Sequence, residues 1–248
     1  MNKIFAVMVF PALIFASCTA QISGSLKEDG QADIQIYAAL EPKMTALIAG
    51  LAVASGMMQP GYPNNALILD GPAISASMSS APGVASAALK NIAPAAIQGP
   101  VQISRVSDFL ARSKTGGKTQ VSKGPSFVVF QQGKAGGRCV INLNRDSGPE
   151  ILGLISPEVG EYLAALMAPL ATGEALTKAE YLTLVGSVYG KGIADEISKA
   201  QVRTYIDFPG TVQGVRGGTF SGRRVELAIP LLDILVLEKP VIYDVTWK

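Results

Sequence analysis

The strongest nucleophiles in this 248-residue chain are two thiols, Cys18 and Cys139, and there is no histidine to activate either of them. Without imidazole there is no His-based triad, no His-ligated zinc and no imidazole proton shuttle. Two thiols also fall short of a cysteine-only metal site. Acid–base work would pass to carboxylates or to Ser with Lys, and Asp195 and Glu196 lie side by side in the sequence. On a helix adjacent side chains point to different sides, so they make no natural catalytic pair. Gly117-Lys118-Thr119 copies the end of a phosphate-binding loop, but that loop wants a glycine five positions before Gly117, where Arg112 stands. The expectation is a protein that is not an enzyme, with no metal and no cofactor.

What Cys18 does instead is set by the residues before it. Lys3 and an apolar run from Ile4 to Phe15, interrupted by Pro11, read as a charged segment followed by a short hydrophobic one, the pattern of an export signal rather than a membrane span. Phe15-Ala16-Ser17-Cys18 resembles the bacterial lipobox in its relaxed form, as in spirochaete lipoproteins, with Phe15 where leucine is usual. That resemblance implies a signal peptide over 1–17 and a mature chain over 18–248. It also implies a thioether-linked diacylglycerol on the Cys18 thiol and a fatty acid such as palmitate on its amine. Each buried methylene of such chains contributes about 0.8 kcal/mol, so two or three chains hold firmly. The partner implied is a bacterial membrane in the cell envelope, on its periplasmic side or at the cell surface. The same residues also suit an ordinary secretory leader cut near Ala20.

Composition narrows the rest. Twenty-one Lys and Arg against nineteen Asp and Glu leave a formal charge of +2, or +1 once Lys3 departs with the leader. No nucleic acid is implied. A mean hydropathy of +0.32 with 16% charged residues is high for an exported body. Either the interior is large or some apolar surface faces lipid. Once Cys18 is acylated Cys139 has no partner, and its strand-like setting reads as a small buried residue.

The elements that must position these residues follow from periodicity. Ile22 to Lys27 and Ala32 to Ala38 read as a hairpin around Glu28-Asp29-Gly30. Thr19, Ala20 and Gln21 are then the whole spacer to the anchor, about 10–14 Å of chain. Pro42 opens a helix with Met44, Leu47, Ile48, Leu51 and Met58 on one face. Residues 66–100, cut by four prolines, admit only short helices such as Val84 to Asn91, and serve either as a flap over an apolar pocket or as a packed connector. Val101 to Val106 reads as a strand. Ser126 to Gln131 and Arg138 to Arg145 read as a second hairpin, with the continuous Phe127-Val128-Val129-Phe130 central in its sheet.

Two helices are then expected. Ser156-Pro157 caps the first, with a stripe of Val159, Tyr162, Leu163, Leu166, Met167 and Leu170; the box Thr177-Lys178-Ala179-Glu180 opens the second, with Tyr181, Leu184, Val185, Val188 and Tyr189. They cover one face of a sheet, or they form one wall of an acyl-chain cavity, with Tyr162, Leu166, Tyr181 and Val185 as the candidate apolar pocket. A short helix over Ile193 to Lys199 and strands over Gln201 to Phe208, Thr211 to Arg216, Arg223 to Ile229 and Val241 to Trp247 complete the chain. The expectation is an α+β fold of one domain, a mainly antiparallel sheet with a helical pair packed on one face.

Tyr205-Ile206-Asp207-Phe208-Pro209-Gly210-Thr211-Val212, then Gly217-Gly218, Arg223 to Pro230 and Val245-Thr246-Trp247, resemble the exported bacterial lipoproteins of the LppM type, over about the last fifth of the chain. The resemblance implies an α+β domain at a membrane surface that binds lipid or glycolipid, and it transfers no binding residue. The alternative is a structural or surface-exposed envelope protein that binds another macromolecule.

Overall fold

The computed structural model describes residues 18–54, 68–110, 127–133, 135–147 and 175–248. The leader expected over 1–17, Met58, the loop expected at 113–119 and the helix expected from Ser156, with Tyr162 and Leu166, lie outside them. In chain order the described strands are β1 Cys18–Leu26, β2 Ala32–Leu40, β3 Val84–Ala87, β4 Lys90–Ala93, β5 Ala96–Ile103, β6 Val128–Gly133, β7 Gly136–Leu143, β8 Gln201–Asp207, β9 Val212–Arg216, β10 Gly218–Ser221, β11 Arg224–Pro230 and β12 Val241–Trp247. The helices are α1 Pro42–Ala54, α2 Gly71–Ser79, α3 Val106–Leu110, α4 Lys178–Tyr189, α5 Lys191–Lys199 and α6 Leu231–Val236.

The fold is α+β, and its strands form two sheets. The larger runs β10-β11-β8-β1-β2-β5-β3, with β4 also on β5, and the smaller runs β6-β7-β12-β9. Pairing is antiparallel throughout the described strands except between β1 and β8, which run parallel. Strand alternation decides which face is buried. Along β1, Ala20 and Leu26 are buried while Thr19 and Gln21 are exposed. Along β5, Ile97, Val101 and Ile103 are buried, and Gln98, Pro100 and Gln102 are exposed.

The inward faces share one hydrophobic core with the helices. Ile36, Val101 and Val225 of the larger sheet, Val245 and Trp247 of the smaller, and Met44, Tyr181, Ile197 and Leu235 of four helices all belong to it. A side chain as fully buried as Ile197 contributes about 1.5–3 kcal/mol by leaving water. The chain passes from one sheet to the other at Gly217 (φ 86°), between β9 and β10, where a Cβ would press on the Ile242 carbonyl and the Tyr243 ring.

Several expectations change here. The helix expected over Val84 to Asn91 is replaced by the edge strands β3 and β4. Pairing with β5 overrides the helical leaning of an alanine-rich stretch, and the helix of this region is α2, capped by Asp70. β6 is an edge strand, not a central one: Val128 and Phe130 are half-buried, and Val129 between them is 46% exposed. Val106 opens α3 instead of ending a strand, because β5 starts at Ala96 and stops at Ile103. Gly218 begins the unforeseen strand β10, and Leu231–Val236 is a helix.

Candidate functional site

Cys18 is the first residue of β1 and stands in register with Leu40, the last residue of β2. The expected three-residue spacer does not exist as free chain, because Thr19, Ala20 and Gln21 are paired on both sides, with Ala39, Ala38 and Tyr37 and with Gln201, Val202 and Arg203. The residue expected to carry lipid is thus the end of a central strand. Around it at that end lie the start of α1, the start of β5 and the end of α5.

The start of α1 is held from α5. Pro42 and Lys43 open the helix, and the Glu196 carboxylate accepts from the backbone N–H of Lys43 at 3.1 Å and of Met44 at 2.9 Å. A carboxylate at a helix N-terminus satisfies donors that lack intrahelical partners and complements the dipole. Glu196 therefore has a structural job, while its sequence neighbour Asp195 is exposed on another side of α5.

Of the four candidate pocket residues, the structure describes two. Tyr181 and Val185 lie one turn apart on α4 and are 1% and 3% exposed. The capping box forms as read: the Thr177 hydroxyl accepts from the Glu180 N–H at 3.2 Å, and Glu180 accepts from the Thr177 N–H at 2.8 Å. The foot of α4 is tied further to the α6 region, where Lys178 donates to Glu238 at 3.0 Å and pairs with Asp233. Burial pushes the Tyr181 phenol well above its ordinary range, with Tyr189 adding to the effect. Leu184 and Val188, expected on the same stripe, are 43% and 61% exposed. The buried arc is narrower than five residues at helical spacing suggest.

Two open clefts lie elsewhere, and most residues lining them are of polar type. One of about 480 Å³ is lined by Glu28, Asp29 and Gly30 of the β1–β2 turn, Arg105 and Ser107 at the start of α3, and Phe130, Gln131 and Gln132 of β6. Gln132 ties the two sheets together there, donating to the carbonyls of Lys27 and Glu28 at 2.8 and 2.9 Å. The other, of about 660 Å³, lies on the outer face of the larger sheet, among Gln21, Ser23, Ser25, Gln35, Tyr205, Asp207 and Arg224. Arg224 grips Asp207 with two hydrogen bonds of 2.8 and 2.7 Å, which holds the Asp207 carboxyl below the usual range. The alternation of Gln21, Ser23 and Ser25 along β1 was legible as a polar face. That Arg105 and Phe130 meet the β1–β2 turn was not, because they lie on separate elements far apart in sequence.

Cys139 of β7 faces inward beside Phe130 and Val245 in register. Burial pushes its thiol up to about 11, with Asp244 adding to the shift. Such a thiol is inert at neutral pH. Among the described residues no group of His, Cys, Asp and Glu is placed to hold a metal ion. No described helix is long and apolar enough to cross a membrane.

No family model matches the chain, and no curated protein matches it. Among solved structures it is similar to the folded domain of LppM from Mycobacterium tuberculosis, determined by NMR, at 10% identity and a TM-score of 0.40, over 94% of this chain and 90% of that one. That likeness carries no conclusion about fold or function.

Proposed function

We propose that the chain is an envelope lipoprotein, acylated at Cys18, whose folded body sits directly on a bacterial membrane and binds lipid or glycolipid. The observation that carries the anchor is the place of Cys18: an apolar leader ends on it, and the central strand of the larger sheet begins with it. A diacylglycerol there would be joined to the body with no flexible spacer. The test is detergent phase partition with mass analysis of the N-terminal peptide. The native protein enters the detergent phase carrying lipid on Cys18, and Cys18→Ala, which keeps the apolar leader as a precursor, carries no lipid mass at that position. A native N-terminal peptide without lipid on Cys18 would defeat the anchor.

The lipid-binding half of the proposal is supported by the high apolar content and by the inward face of α4. Tyr181 and Val185 are packed by neighbours, so a lipid would enter beside α4 and part it from them. Native mass spectrometry with lipid extraction, on residues 19–248 prepared without detergent, decides it. A stoichiometric lipid supports carriage, and a clean apo mass with no uptake of added lipid overturns it. A second reading, a surface that binds another macromolecule, is favoured by Leu184 and Val188, one turn apart and both exposed.

A further inference from the structure

We infer that the body stands upright on the bilayer, with the rim around Cys18 and α1 against the lipid headgroups and the opposite rim held away from the membrane. The inference rests on the reading of Cys18 as the anchor and adds to it a surface and a direction.

Two features independent of the lipobox point the same way. The first is strand direction. β1 starts at Cys18 and rises about 3.3 Å per residue to Leu26, so its far end lies about 26 Å away. Register carries that direction across the sheet. Thr19 is level with Ala39 of β2 and Gln201 of β8, while Ser25 is level with Asp33 and Asp207, and Asp207 in turn with Arg224.

The second is the distribution of charge. The far rim holds Lys27, Glu28, Asp29, Arg105, Asp108, Asp207, Arg223 and Arg224, close to the turn at Gly30 or to the end of β8. At the near rim Leu40, Ala96 and Ala200 are buried, and the exposed residues are Pro42 at the start of α1, Ala93 and Pro94, with Glu41, Lys43, Asp70 and Lys199 as charges. From Met44 to Ala54, α1 has no charged residue, and its hydroxyl, that of Thr45, is turned back onto the Glu41 carbonyl at 2.9 Å. A helix apolar on every side belongs in a core or against lipid. Here Met44 is fully buried, while Ala46 and Gly50 are exposed. Pressing the charged rim on the bilayer would strip water from ion pairs such as Arg105–Asp108 and Arg224–Asp207. Pressing the near rim on it covers the exposed Pro42, Ala93 and Pro94, breaks none of these ion pairs, and leaves Lys43 and Lys199 at the level of headgroup phosphates.

The native tryptophan provides the reference. Trp247 is 3% exposed and packs 4.7 Å from Phe208, which follows the far end of β8. The full lipidated protein is placed in phosphatidylcholine–phosphatidylglycerol vesicles with or without brominated acyl chains. Compared with it are Ala46→Trp, Gly50→Trp, where an added Cβ meets nothing within 4 Å, and Ser221→Trp on the far rim. Bromolipid is expected to quench the tryptophans added at 46 and 50, which shift to the blue, and to leave Trp247 and the tryptophan at 221 unaffected. The inference falls if 46 and 50 are untouched by bromolipid and open to aqueous iodide, or if 221 is quenched as strongly. The mass of the N-terminal peptide separates the two claims. Acylated protein with water-exposed 46 and 50 defeats the orientation and keeps the anchor. Unacylated protein that still shows quenching at 46 and 50 alone defeats the anchor and keeps the orientation.

Discussion

Gly137 and Trp247 stand opposite each other across β7 and β12, and the indole lies where a side chain on Gly137 would be: a Cβ there collides with Cζ2 of the ring. The ring packs in turn on Phe208 and Phe130, so this one glycine admits the aromatic cluster that closes the smaller sheet. Gly137→Ala should destabilise the fold by about 1–3 kcal/mol through overpacking, read by urea unfolding followed on Trp247 emission. An unchanged midpoint would mean that the ring has another place to go.

Glu196→Ala removes the acceptor for the Lys43 and Met44 N–H groups. The loss should be roughly 1–2 kcal/mol, with faster amide exchange over the first turn of α1. An enzyme that used Glu196 as acid or base would lose turnover and keep its stability, so the stability measurement separates the roles.

Asp207 and Asp244 each lie against an arginine, Arg224 and Arg138, whose hydrogen bonds hold both carboxyls below 3.8. A carboxyl depressed in the folded state supplies stability that is present above its unfolded value and is lost as pH falls through its folded one. The stability these two carboxyls supply should therefore decline as pH drops below about 3.8, and Asp207→Asn should flatten that limb. Urea midpoints over an acid series give the slope. A variant with the native slope would assign the loss to other carboxyls.

Cys139 gives the opposite limb. With its thiol raised to about 11 against an ordinary 9.0, the folded state keeps the proton longer than the unfolded one, so this group erodes stability as pH climbs from about 9.0 to about 11. At neutral pH only about one thiol in ten thousand is thiolate. A thiol reagent should leave Cys139 of the folded protein unmodified and, if Cys18 is acylated as proposed, take up one equivalent after denaturation. A second equivalent would reveal an unacylated Cys18.

Thr177→Ala should cost about 1 kcal/mol by opening the capping box, measured as a shift in thermal midpoint.

How much the sequence revealed depends on how local each signal is. The box at Thr177 and Glu180, the proline at the start of α1 and the strand over Val241 to Trp247 are settled within a few residues, and all three form as read. The fate of Val84 to Ala93 is settled by β5, which lies beyond it in the chain and claims both segments as edge strands. Leu184 and Val188 share the spacing of Tyr181 and Val185, but the arc that meets the core is set by α5 and α6, so spacing alone could not show that it stops short of them. The clefts were least legible. Glu28, Arg105 and Phe130 come together only because two sheets meet, which no periodicity in a single strand encodes.

That β1 is paired on both sides from Thr19 to Ser25 has a mechanical meaning. A force applied at Cys18, as when a partner pulls the body away from a surface, acts along the strand axis, parallel to β2 and β8. The two ladders are then loaded in shear, so many hydrogen bonds must yield together, where an edge strand peeled sideways would release them one at a time. Cys18 is thus a point at which the larger sheet can carry tension.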